Sequence, residues 1–286
     1  MAKRLVLQNT GLGPTKYGAF ERYLARVAEE CRVRGYRTVM QFDAYPASED
    51  FVRDIGELGV LIEVVSSHGG MAGELAGGWR LISDHRPSVI HDNFVGRWWD
   101  AAVPTIGRLA GAQLLVKTQH SDLPYEGPGK KRFVYNQFDR VTTDSDAIRR
   151  SLVRGGVTPS RLQVQYLGLF GDRERTDAAR QEVRLQYGIP QDAVVLGCIA
   201  FAGPVKGVDI LLHALGPLFR SHPDLYVLQV GVAPSDVALL ELAVELGAAE
   251  RIVWAGVVDD GWQLLAAADV YVQPSRSEGL PFSVLE

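Results

Sequence analysis

Short apolar runs alternate along this chain with stretches in which apolar residues recur every three to four positions. Leu5-Val-Leu-Gln reads as a strand. Phe20, Leu24, Val27 and Cys31 then mark one face of a helix, which Gly35 ends. The next strand is Tyr36 to Phe42, and others are predicted at 88–91, 113–118, 140–143 and 162–167. A polar stretch from Asp172 to Gln181 interrupts the pattern. It restarts with strands at 193–200, 225–230, 252–255 and 270–273, and helices near 207–220, 235–247 and 261–268. Such alternation predicts an α/β fold with parallel sheets and crossover helices. The expected organisation is two doubly wound domains, 1–170 and 171–286, facing a cleft. Ligands of such folds bind at the carboxyl ends of the strands.

Composition narrows the class. The 286 residues, 47% hydrophobic and 22% charged, describe a globular protein of two ordinary domains. The longest apolar-plus-glycine run, Ala193 to Gly203, is too short to span a bilayer. The N-terminus lacks the apolar core of a signal peptide. Cys31 and Cys198 fall in apolar surroundings, so buried free thiols and a cytoplasmic location are expected. Residues 1–168 hold 22 Lys and Arg against 18 Asp and Glu, a balance of +4. Residues 169–286 hold 8 against 16, a balance of −8. Either this is ordinary solvated surface, or the basic half meets membrane headgroups or a phosphorylated acceptor at the inner membrane face. No basic cluster is interleaved with stacking aromatics, which argues against nucleic acid.

The densest chemistry is at Glu278-Gly-Leu-Pro-Phe-Ser-Val-Leu-Glu286. The preceding Asp269 to Ser275 reads as a buried strand entering a loop. Pro281 suits the first turn of a helix, which puts Glu278 in the loop and Glu286 inside the helix. Free N–H groups at such a helix start bind phosphate. Phosphate donors flanked by two carboxylates that accept from sugar hydroxyls suit a nucleotide-sugar. Lys206, before Gly207 and a predicted helix, suits the charge of a departing diphosphate; its other reading is a surface lysine.

Other motifs divide between bland and functional readings. Gly11-Leu-Gly13 follows the first strand, but Lys16 stands where a dinucleotide loop needs glycine. Gly13 is therefore a tight turn or a backbone approach to phosphate. His120 ends a strand as a structural histidine or as a hydrogen-bonding group beside the reacting carbon. Trp98 and Trp99 suit a core or lid better than a sugar platform. The Gly-rich loop 66–78 and basic Lys130-Lys-Arg132 read either as segments that shape acceptor access or as ordinary surface loops. No His/Cys cluster has metal-ligand spacing, and no hydrolase elbow or Walker loop appears.

Lys206-Gly207-Val-Asp-Ile-Leu-Leu-His-Ala214, Ala268 to Ser275, and the Glu278-x7-Glu286 element resemble retaining glycosyltransferases of family 4 with the GT-B fold. Gly18-Ala-Phe-Glu21-Arg, Arg34 to Val39 and Asp144 to Gly156 extend the resemblance over essentially the whole chain. It implies sugar transfer from a nucleoside-diphosphate sugar with retention, without metal or other cofactor, to an unidentified acceptor hydroxyl. Glu278 would meet hydroxyls of the transferred sugar, and Glu286 the ribose. Gly279 and Leu280 N–H groups and Lys206 would hold the diphosphate. His120 would lie beside the reaction centre, with Gly13 facing the diphosphate. Phe201 stands where the family carries a second cation, which leaves Lys16 as a substitute. The segment Gln165 to Gly171 also lacks the family's Asn-Gly near the crossing. The family continues past the second Glu, so a C-terminally incomplete second domain is expected, with Val284 and Leu285 exposed. The rival readings are an impaired or non-catalytic nucleotide-sugar-binding subunit and a GT-B epimerase or phosphorylase.

Overall fold

The computed structural model describes residues 4–66, 70–93, 101–121, 128–169 and 175–286. The chain divides into two compact units, Met1–Gly168 and Leu169–Glu286. In the first, strands β1 (Leu5–Asn9), β2 (Arg37–Phe42), β3 (Leu61–Val64), β4 (Val89–Asn93), β5 (Leu114–Gln119), β6 (Arg140–Thr143) and β7 (Leu162–Val164) form one parallel sheet ordered β3-β2-β1-β4-β5-β6-β7. Helices α1 (Ala19–Val33), α2 (Glu49–Glu57), α3 (Gly70–His85), α4 (Val103–Leu109), α5 (Pro128–Tyr135) and α6 (Asp146–Arg154) supply the connections. Order reverses between β1 and β4, which places a crevice at their carboxyl ends.

Every residue of β1 is buried, as a central parallel strand covered on both faces requires. The buried residues of α1 are Glu21, Tyr23, Leu24 and Ala28, a face rotated from the predicted one; Phe20, Val27 and Cys31 lie at its half-buried margin. Helix α3 corrects the reading of 70–78 as a surface loop. A β-carbon at Gly77 would lie 2.8 Å from Val65 Cγ1, so this glycine lets the helix approach the sheet closely. Strand β3 and helix α2 were also unpredicted. Ser48 caps α2 by accepting from Phe51 N–H. Trp98, Trp99 and the side chains of Lys130 and Lys131 lie outside the described residues.

In the second unit, β8 (Val194–Ile199), β9 (Leu225–Val230), β10 (Ile252–Gly256) and β11 (Val270–Tyr271) form a parallel sheet ordered β10-β9-β8-β11. Helices α7 (Asp177–Gln186), α8 (Val208–Ser221), α9 (Val237–Glu245) and α10 (Phe282–Leu285) accompany it. Helix α7 begins inside the stretch read as a polar interruption. Alternation splits the core: Val227 of β9 joins Leu211, Leu215 and Phe219 on one face, while Leu228 joins Val183 and Val195 on the other. The predicted helix over 261–268 is a 3-10 helix, Gly261–Ala267.

The strand read as buried is short and lies at the sheet edge, with Val270 51% exposed. Its start is stapled instead. Arg184, fully buried, donates to Ala267 O, Gln191 O, Ala193 O and Asp269 Oδ2, and that same carboxylate oxygen accepts from Val195 N–H of β8. Burial raises the Asp269 carboxyl, but Val195 N–H and Arg180 outweigh it, with Arg184 adding to them, and hold it below its ordinary value. Both cysteines are free, but only Cys198 is buried. Val284 and Leu285 are exposed. No helix among the described residues is long and apolar enough to cross a membrane.

Candidate functional site

Strands β8 and β11 are neighbours, so the loops leaving their carboxyl ends meet. Gly207, with φ 67°, lets them meet closely: a β-carbon there would lie 2.1 Å from Pro274 O. The loops are then stitched together. Arg276 N–H donates to Val205 O, its Nη1 donates to Pro204 O at 2.7 Å, and its guanidinium grips Asp209 at 2.8 and 2.6 Å. This fork-to-fork geometry fixes direction as well as distance. Arg276 holds the Asp209 carboxyl below its ordinary value, through the hydrogen bond first and charge second.

The result is a cation facing a carboxylate. Lys206 Nζ lies 2.7 Å from Glu278 Oε1, with side-chain exposures of 24% and 21%. Both are thus held yet reachable from solvent. Glu278 Oε1 also accepts from Ser275 Oγ at 2.6 Å and Gln273 Nε2 at 2.9 Å. All three donors converge on one oxygen; among the described residues none reaches Oε2. Lys206 Nζ also lies 5.7 Å from the ring centroid of Phe201, which is 55% exposed.

Helix α10 is a single turn, and Pro281 precedes its first position rather than occupying it. Gly279 and Leu280 lie half-buried in the bend just before. Glu286 ends α10 and lines a cavity of about 340 Å³ with Arg175, Trp262, Tyr271 and residues around the start of β11. Tyr271 links the two places, because its hydroxyl donates to Gln273.

The first unit gathers a different set at its strand ends. Asp92 of β4 accepts from Asn9 of β1 and from Lys117 of β5, and both members of the Lys117–Asp92 pair are fully buried. Lys117 Nζ lies 5.4 Å from the Phe138 centroid and 5.7 Å from that of Tyr135. His120, just past β5, places Nδ1 2.8 Å from Asp144 Oδ2 and Nε2 3.1 Å from Asn93 Oδ1. Phe20 and Tyr23 pack edge-on against its ring. His91 Nε2 meets Thr118 Oγ1 at 2.7 Å. Burial first, then electrostatic repulsion from His120 and Lys117, push His91 down to about 3, so its imidazole is neutral. Burial pushes the Tyr23 hydroxyl up to about 12.

Gly13 is closely packed. A β-carbon there would meet Ala44 Cβ at 2.9 Å, and Asp43 N–H donates to Leu12 O beside it. Internal packing alone demands glycine at this position.

Sequence reasoning paired Lys206 with the Glu278 element but missed Gln273, Ser275, Arg276, Asp209, Asp92, Lys117 and Asp144 as site neighbours. Tyr271, Gln273 and Ser275 carried a signal, since alternate positions of an extended segment share a side. Asp92 and Lys117 carried a weaker one, as charges inside strand-like runs.

Two successive doubly wound parallel sheets with ionisable groups at their strand ends are the GT-B architecture of glycosyltransferases. The chain belongs to the glycosyltransferase family whose models are described as a glycosyl transferase 4-like domain, matched over 18–168, and glycosyl transferases group 1, matched over 192–286. It is 31% identical over 219 residues to a GDP-mannose-dependent alpha-(1-6)-phosphatidylinositol monomannoside mannosyltransferase of Mycolicibacterium smegmatis, covering 72% of this chain and 55% of that one. It is 33% identical over 168 residues to a D-inositol 3-phosphate glycosyltransferase of Saccharomonospora viridis, covering 54% and 38%. The chain thus spans about half the length of the first of these curated relatives and less of the second. The fold matches HepE of Anabaena, solved with UDP and glucose, at TM-score 0.77 and 21% identity, covering 99% of this chain and 77% of that one. It also matches WaaG, a glycosyltransferase of lipopolysaccharide biosynthesis, at TM-score 0.71 and 18% identity, covering 95% and 75%.

Proposed function

We propose that this chain carries the donor site of a retaining glycosyltransferase that moves a sugar from a nucleoside-diphosphate sugar to an acceptor hydroxyl. The observation that carries the reading is the Lys206–Glu278 pair at the strand ends of the second unit, 2.7 Å apart and open to solvent. Departure of a nucleoside diphosphate builds negative charge on phosphate oxygens. A preorganised ammonium stabilises that charge as it develops. Lys206 is this ammonium, and Gly279 and Leu280 N–H groups supplement it. Glu278 Oε2, with Oε1 already occupied, accepts from hydroxyls of the transferred sugar. Glu286 takes the ribose, and the first unit, which carries His120 and Gly13, receives the acceptor. In this reading no metal is required, because Lys206 meets the leaving-group charge. Contact of the basic first unit with anionic lipid completes it.

The relatives named for GDP-mannose and for inositol-bearing acceptors set the first ligands to try. Calorimetric titration of the chain with GDP-mannose and with UDP-glucose is the test. Binding of one of them, weakened at least about tenfold by Glu278→Gln, is expected for the loss of a charge-assisted hydrogen bond. A chain that binds neither nucleotide-sugar sinks the proposal. Phe201 supports a second reading, a binding subunit without turnover, since a phenyl ring offers the leaving group no charge. Nucleotide release with D-inositol 3-phosphate as acceptor separates the two; binding without release favours the subunit.

A further inference from the structure

The amide of Gln273 holds four groups at once. Its Oε1 accepts from the Tyr271 hydroxyl and from Ser283 Oγ at 3.1 Å. Its Nε2 donates to Ser275 Oγ at 2.6 Å and to Glu278 Oε1 at 2.9 Å. The carboxylate sets the amide's orientation, because the reverse arrangement would put two acceptor oxygens face to face. The amide therefore bridges β11, the loop of Glu278 and helix α10. It also completes the set of donors on Oε1, with Lys206 and Ser275. Filling Oε1 fixes the plane of the carboxylate and leaves Oε2 without a protein donor among the described residues. When a diphosphate draws Lys206 away, Gln273 and Ser275 remain to keep that plane.

We propose that Gln273 is a positioning residue of the donor site, acting through Glu278: it orients the carboxylate toward the sugar and has no part in holding the diphosphate. This rests on the donor-site reading above. Leucine at 273 keeps the size and removes all four bonds. Glutamate keeps the shape but sets a second carboxylate against Glu278. Two such carboxylates share a proton readily, and the affinity of the pair for a hydroxyl then depends on pH.

The test compares the whole chain with Gln273→Leu and Gln273→Glu. Each is titrated with the nucleotide-sugar that the wild type binds and with the matching free nucleoside diphosphate, and its thermal midpoint is recorded. Gln273→Leu should weaken the nucleotide-sugar about tenfold and leave the free diphosphate within about twofold, a split of roughly one decade. Gln273→Glu should bind the sugar poorly at pH 8 and recover as the pH falls toward 5, while the wild type stays flat. Should the leucine variant fold poorly, the glutamate variant alone decides by its pH profile. Equal loss of both ligands, or no loss of either, overturns the positioning role. A wild type that binds free diphosphate but shows no gain from the sugar overturns it as well. A wild type that binds no nucleotide at all defeats the donor-site reading first.

Discussion

Both units place ionisable groups toward the carboxyl ends of a parallel sheet and treat them in opposite ways. In the first, Lys117 and Asp92 meet with no exposed side-chain surface, and His120 and Asp144 meet at 7% and 3%. In the second, Lys206 and Glu278 meet with about a quarter and a fifth of their surfaces open. A buried pair has already lost its water and must keep its partner, so it shapes the crevice floor. A partly exposed pair costs less to separate, so a ligand can enter between its members. The difference separates scaffold from binding chemistry without reference to any substrate.

The largest expected effect breaks the buried side. Lys117→Met removes an ammonium from a carboxylate that has no access to water, at a cost of about 3–5 kcal/mol. Lys117→Met combined with Asp92→Leu removes both charges and should recover much of that loss. Urea unfolding of both variants checks it. A double variant less stable than the single one would show that the pair is not the source of the cost.

The open side should respond in function instead. Lys206→Met should change unfolding little, because an ion pair still open to solvent adds about 1 kcal/mol or less. Nucleotide release should fall about 10²–10³-fold, as when one preorganised donor to a developing charge is lost. A variant that loses stability and keeps turnover would exchange the roles of the two sites.

The third effect is one of pH. His91 is held down to about 3 in the folded chain, against 6.5 ordinarily. Between these values the unfolded chain binds a proton that the folded chain refuses. Stability from this group is therefore complete above about pH 6.5 and is lost as pH falls toward 3, by up to about 1.4 kcal/mol per unit. His91→Gln should flatten that slope. Urea midpoints from pH 7 to 4 measure it, and an unchanged slope would assign the acid sensitivity elsewhere.

What the sequence revealed follows the same division. Strands such as β1 and β9 were legible because burial on both faces writes a nearly continuous apolar run. Edge strand β3 was not, since Leu61 and Val64 are exposed and its run looks like any surface segment. Helix α3 was hidden by its glycines, of which Gly77 lets the helix approach Val65 closely. Lys206 and Glu278 were legible through spacing and context. The Lys117–Asp92 pair was not, because it depends on β4 lying beside β5, a fact of strand order that no local pattern records. Glu286 was legible only as the second carboxylate of the spacing; that it ends a four-residue helix and lines a cavity with Arg175 and Trp262 depends on tertiary packing.

The smallest effect sharpens the comparison most, because it asks how an exposed pair stays ordered. Arg276 and Asp209 are 46% and 37% exposed, so their charge attraction alone is worth little. Their value lies in geometry: the same guanidinium binds Pro204 O, and the Arg276 N–H binds Val205 O, just before Lys206. Arg276→Ala should barely move the unfolding midpoint yet let the two loops drift. Nucleotide-sugar affinity should then fall by a few-fold, and Arg276→Lys should restore little, since an ammonium cannot reproduce the fork. Full rescue by lysine would show that charge and not shape holds the loops together, and the open site would then owe its order to the Lys206–Glu278 pair itself.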